Sequence, residues 1–154
     1  MNSRRTSILV GGFLFGSLCL MVSAYSYQYA KFITVQDIEK VTGLKGITPI
    51  QKSADADGDL NFARQDGKLI LSASFLPVTA YAGAKSSREG FKSLYPGIGE
   101  EAFIGPAGSS PSFILVFHKA SYTVMLNTEL ESETKARIPI EQLVALAKII
   151  ASRM

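Results

Sequence analysis

Acidic residues between positions 55 and 66 come nearest to a ligand-binding pattern. In Asp55-Ala56-Asp57-Gly58-Asp59-Leu60-Asn61-Phe62-Ala63-Arg64-Gln65-Asp66, acids stand at positions 1, 3, 5 and 12 of a twelve-residue window. Calcium needs several oxygens converging on one point, and this spacing supplies them. Two departures weaken the pattern. Position 6, where the loop bends sharply, is Leu60 in place of glycine, and position 12 is Asp66 in place of the longer glutamate. Asp66 also precedes Gly67, a pair that favours a hairpin turn. The segment reads first as a solvated acidic turn before a strand. Asp55, Asp57 and Asp59 alone remain the candidate metal ligands, for a weak calcium site.

His118 is the single histidine. It is the residue a hydrolase would use as its base, but a triad also needs a nucleophile and an orienting acid, and no Gly-x-Ser-x-Gly elbow is present. With Lys119 beside it, His118 reads as the surface end of a strand. Glu100 and Glu101 are a possible acid/base pair, yet neighbours on a strand point to opposite faces. Gly105 to Ser112 lacks the lysine and the following helix of a phosphate loop. No residue pattern calls for a cofactor, and none for a catalytic constellation.

The elements that would position these residues begin after an unusual N-terminus. Arg4 and Arg5 precede Ile8 to Ala24, ILVGGFLFGSLCLMVSA, which carries no charge. As a helix this run covers about 25 Å, a little short of a bilayer core. Continuing through Tyr25, Tyr27 and Tyr29 to Ala30 completes a span, with tyrosines at the interface. Residues 1–30 are therefore expected to be a signal peptide or a membrane anchor. Val22-Ser23-Ala24 offers a cleavage site after Ala24. In both cases the basic end stays inside and residues 31–154 lie outside the cytoplasm, periplasmic, secreted or held at the membrane through residues 8–30. Cys19 is the only cysteine, and Leu18 before it departs from a lipoprotein signal. The domain beyond therefore has no disulfide and no thiolate. Ser7 likewise departs from a twin-arginine signal.

Without Arg4 and Arg5, 14 basic residues face 13 acidic ones, and they are scattered. That excludes the basic patch of a nucleic-acid-binding surface.

Residues 31–154 read as one α+β domain. Thr34 caps a short helix with Asp37 near its positive end, Ile33 and Ile38 have staple spacing, and Gly43 stops it. Its expected buried face is Ile38, Val41 and Thr42. Residues 46–52 suggest an edge strand holding Pro49. Asp66-Gly67 joins Leu60–Arg64 to Lys68–Phe75 in a hairpin, with Leu69, Leu71, Ala73 and Phe75 on one face. Residues 78–95 read as a helix with Tyr81, Ala84, Phe91, Leu94 and Tyr95 inward, ended by Pro96. Phe113–His118 and Tyr122–Glu129 are apolar on both faces and read as central strands. Glu129, Glu131 and Glu133 read as a solvated edge or loop. Pro139 opens a final helix with a Leu143, Leu146, Ala147 and Ile150 stripe. The expected architecture is an N-terminal hydrophobic helix, then an antiparallel sheet of about five to six strands packed by two to three helices.

The run Gly97-Ile98-Gly99-Glu100-Glu101-Ala102-Phe103 resembles the Gly-Leu-Gly-Asp-Glu-Ala-(Phe/Tyr) segment of small bacterial envelope domains of uncharacterised function. There the segment precedes two strands, the second with a basic-aromatic start, and a final Leu-x-x-Leu-Ala-x-x-Ile helix. His118-Lys119-Ala120-Ser121-Tyr122 and Leu143 to Ile150 match those features. Some such domains are similar to the PsbP-like fold, a sheet packed by helices. The resemblance covers residues 90 to 152, and the first half by element order only. It implies a fold and an envelope location, and no reaction. The expected function is a non-catalytic accessory or binding module at the membrane surface, with an envelope protein as possible partner. The alternatives are calcium-dependent binding through 55–66 and a hydrolase built on His118.

Overall fold

A computed structural model describes residues 29–50, 58–86, 93–106, 113–132 and 135–154. Tyr29 and Ala30 have helical backbone, and Phe32 N–H closes a turn on the Tyr29 carbonyl at 2.9 Å. Helix α1 (Val35–Thr42) follows, with the expected capping box: Thr34 Oγ1 accepts from Asp37 N–H, and the Asp37 carboxylate accepts from Thr34 N–H. Gly43 ends it at φ 72°, in the left-handed region glycine enters freely. Ile33 and Ile38 are both buried, as a staple requires.

The sheet is antiparallel throughout and its seven strands run in the order β1-β2-β3-β7-β6-β5-β4. Strands β1 (Thr48–Ile50), β2 (Asp59–Ala63) and β3 (Leu69–Pro77) form one meander. Strands β4 (Ser93–Leu94), β5 (Glu101–Pro106), β6 (Phe113–Lys119) and β7 (Tyr122–Thr128) form a second. Pairing of β3 with β7, from Leu71↔Thr128 to Pro77↔Tyr122, joins the two at the centre. A separate ribbon of β8 (Leu130–Ser132) and β9 (Lys135–Ala136) precedes helix α3 (Ile140–Arg153). The count exceeds expectation by the two-residue strand β4. The anticipated N-terminal hydrophobic helix lies outside the described residues, among which no helix is long and apolar enough to cross a membrane.

One sheet face carries the main core. Ala102, Ile104, Leu115, Phe117, Val124, Leu126, Ala73 and Phe75 alternate inward beneath α1 and α3, which supply Ile38, Leu143, Leu146, Ala147 and Ile150. The expected stripe of the last helix is buried in full, though the helix starts at Ile140 with Pro139 in the capping position. Ile70 breaks the alternation. Phe62 pairs with Leu71 and Ala63 with Leu69, so Ile70 is an extra residue in β3. Such a bulge turns two successive side chains toward one side. Ile70 and Leu71 are accordingly both wholly buried in the same core.

The other face is covered by α2 (Ala80–Ser86), whose Tyr81 packs with Phe103, Ile114 and Val116. Across β2, β3 and β7 this face is polar: Asn61 pairs with Ser72, Ser72 with Asn127, and Ser74 with Asp59. The anticipated helix over 78–95 is a correction. Among the described residues helix α2 covers Ala80–Ser86, residues 87–92 lie outside them, and Ser93 and Leu94 pair with Ile104 and Phe103 of β5. Ladder hydrogen bonds along an otherwise open strand outweigh the modest propensity of a glycine-containing helix. Phe91 lies outside the described residues, and Tyr95 packs against the main core.

Candidate functional site

Polar and ionisable side chains converge where β5 begins, β6 ends and α2 crosses the sheet. The local backbone explains why. Gly99 has φ 60°, and a Cβ there would lie 2.4 Å from the His118 carbonyl oxygen. Only glycine lets the chain pass so close. Glu100 N–H then donates to that same carbonyl at 2.9 Å. Strand β5 starts one residue later, with Glu101 directly opposite His118.

The two glutamates therefore reach His118 by different routes. Paired residues share a face, so Glu101 stands beside the imidazole on the α2 side. Glu100 precedes the strand and is free of its alternation. One of its carboxylate oxygens accepts from Ala120 N–H at 3.0 Å, and the other lies 3.5 Å from His118 Nδ1. Ala120 sits in the two-residue β6–β7 turn at φ 50°, the positive-φ residue other than glycine among those described. Glu100 thus ties the start of β5 to a strained turn. Sequence reasoning treated Glu100 and Glu101 as pointing apart. They do leave the chain differently, but both end near His118 because Glu100 is not in the strand.

Helix α2 supplies the remaining members. The Tyr81 ring centroid lies 4.4 Å from that of His118 and 5.6 Å from Phe103. Lys85, one helical turn on, pairs with the Glu101 carboxylate. Burial pushes the Tyr81 phenol up to about 12, with the Glu101 charge adding to it. Glu101 is near enough to oppose the phenolate, yet the buried hydroxyl makes no hydrogen bond. The carboxylate is turned instead toward Lys85, a charged donor and the stronger partner. Tyr81 and Lys85 were not singled out from sequence as site residues. Their four-residue spacing on one helix face was the available signal, but only the sheet order shows which strand that face covers.

A carboxylate at imidazole Nδ1 is the orienting half of an acid–histidine pair. At 3.5 Å it is longer than a hydrogen bond. The aromatic ring against the imidazole is that of Tyr81, whose phenol stays protonated at neutral pH and is a poor nucleophile. The chemistry this geometry favours is a charge clamp on the β6–β7 turn.

The calcium candidates divide. Asp55 and Asp57 lie outside the described residues. Asp59 is half-buried at the start of β2. Asp66 belongs to the hairpin turn, where its carboxylate accepts from Lys68 N–H at 3.1 Å. Residues 59–63 are extended, at about 3.3 Å per residue, so Asp59 and Asp66 stand at opposite ends of a strand. The segment therefore does not close as a twelve-residue loop. Among the described residues no group of three or more His, Cys, Asp or Glu side chains could hold a metal ion.

A small cleft of about 20 Å³ is lined by Leu44, Arg64, Ile70 and Arg137, enough for one water. On the polar sheet face, Asn127 Oδ1 is buried without a hydrogen-bond partner. No family model, curated protein or solved structure matches the chain.

Proposed function

We propose that the chain is a membrane-tethered, extracytoplasmic binding module without catalytic chemistry of its own. The observation that carries this reading is the position of Tyr29. Its ring stacks on Phe75 at 4.7 Å and meets Tyr122 edge-on at 5.9 Å. Tyr29 therefore belongs to the domain, and a membrane span has residues 8–28 to use. As a helix those residues cover about 31 Å, close to the bilayer core of about 30 Å. The uncharged run and the domain share the chain with no residue left over as a linker. Arg4 and Arg5 orient the run so that the domain lies outside.

Two further features support binding over catalysis. The His118 cluster holds its groups against each other and against a turn. The polar sheet face presents the half-buried hydroxyls of Ser72 and Ser74 to a hydrogen-bonding partner. The resemblance of residues 97–103 to envelope domains agrees with this location. A calcium-dependent module using Asp55, Asp57 and Asp59 is a narrower version of the same reading. It requires the melting temperature to rise with calcium and fall with chelator.

Alkaline extraction of membranes, followed by protease treatment of right-side-out vesicles, tests the proposal. The expected result is a chain that resists extraction and loses its domain to external protease. Release by alkali, or protection from external protease, overturns it.

A further inference from the structure

We propose that the end of the domain formed by the β3–α2 junction and the β6–β7 turn rests on the phospholipid headgroups, with Val78 against the lipid. The inference deepens the tether reading and rests on it. It follows from where the described chain begins. Tyr29 is fixed against Phe75 and Tyr122, beside Gly58 at the start of β2. A span over residues 8–28 leaves no linker, and even one that ended at Ala24 would leave five extended steps, at most about 17 Å. The end of the domain that holds Tyr29 cannot stand farther than that from the bilayer.

The structure defines that end. Phe75 lies two residues from the end of β3, and Pro77 pairs with Tyr122 at the start of β7. Val78 N–H donates to the Ser121 carbonyl at 3.0 Å, which binds the β3–α2 junction to the β6–β7 turn. The C-terminus of α3 is here too, since Arg153 donates to the Phe32 carbonyl and Lys119 to that of Ala151. The Arg64–Lys68 turn is at the other end of β3, about 25 Å away.

The chemistry of this end suits a phospholipid surface. Val78, 38% exposed, is the exposed large hydrophobic side chain among the described residues. Lys31 is exposed at the same end, its ammonium 4.9 Å from the ring centroid of Phe32, which itself meets Tyr122. Arg153 is matched by Asp37 and Lys119 is held by the Ala151 carbonyl, which leaves Lys31 as the exposed cation among the described residues of this end, with Glu100 and Asp59 as acids there. An exposed valine and an exposed lysine at one end fit the headgroup layer, where the Lys31 ammonium reaches phosphate and the valine leaves water.

The test uses the full chain with Cys19→Ser, reconstituted in phosphatidylcholine and phosphatidylglycerol vesicles. Single cysteines at Val78→Cys, Ser121→Cys and Lys68→Cys carry an environment-sensitive fluorophore, and a headgroup-linked nitroxide lipid is the quencher. The expected result is that positions 78 and 121 are quenched several-fold more than position 68. Equal quenching at all three, or stronger quenching at 68, overturns the orientation while leaving the tether intact. Extraction of the unlabelled chain by alkali overturns the tether and the orientation together. Position 121 keeps the test open if the Val78 substitution disturbs folding.

Discussion

Replacing Asp37 by asparagine should uncouple the first helix from the last, and the loss should depend on pH in a definite direction. The Asp37 carboxylate takes a bidentate pair from Arg153 at 2.6 and 2.8 Å, and it accepts from the Thr34 backbone and hydroxyl at 2.9 and 2.6 Å. Arg153 is raised above its ordinary value by the same contact. The Arg153 hydrogen bond is the largest cause that holds Asp37 at about 2, below its usual 3.8. A difference of that size corresponds to about 2.4 kcal/mol at most. Arg153 is 37% exposed, so solvent screens part of it, and about 1 to 1.5 kcal/mol is the expected loss at pH 7. Because the folded-state value is depressed, the stabilisation is complete above pH 4 and disappears as pH falls from about 4 to 2. Urea unfolding at pH 7, 4, 3 and 2 measures it. The gap between wild type and Asp37→Asn should close through that window with little change in denaturant slope. A gap that is absent at pH 7, or equally large at pH 2, refutes the argument.

Other substitutions probe separate links. Gly99→Ala should cost more than 2 kcal/mol, because its Cβ meets the His118 carbonyl at 2.4 Å, whereas Gly97→Ala, with open space around it, should cost about 1 kcal/mol in thermal melts. Leu146→Ala leaves a cavity under α3 and should cost about 2 to 5 kcal/mol by the same assay. Tyr81→Phe removes a buried hydroxyl without a partner and should leave stability unchanged or raise it by under about 1 kcal/mol. Glu100→Gln keeps an acceptor for Ala120 N–H but removes the charge beside His118. Because the Glu100 side chain is 60% exposed, the change should cost under about 1 kcal/mol in thermal melts.

Local rules were legible wherever one interaction decides a local structure. Thr34 with Asp37, Gly43 after α1, Asp66-Gly67 in the hairpin and the Leu143 to Ile150 stripe all stand as their residue types require. The antiparallel α+β class followed from the two hairpins. What was not legible depended on pairing between distant segments. Ser93 and Leu94 look helical until β5 is beside them. The extra residue at Ile70 is visible only when β2 and β3 are set in register. The His118 cluster needs the order β6-β5 and the crossing of α2 at once. Alternation placed Glu100 and Glu101 on opposite faces, and the rule failed because the strand begins between them.

The central claim is that the uncharged run stays attached and holds the domain at the bilayer. Intact-mass measurement of the protein recovered from the membrane fraction tests it most directly. The account predicts a mass near the 16.6 kDa of the whole chain, found with the membranes. A shorter chain beginning at Tyr25, found in the soluble fraction, contradicts it.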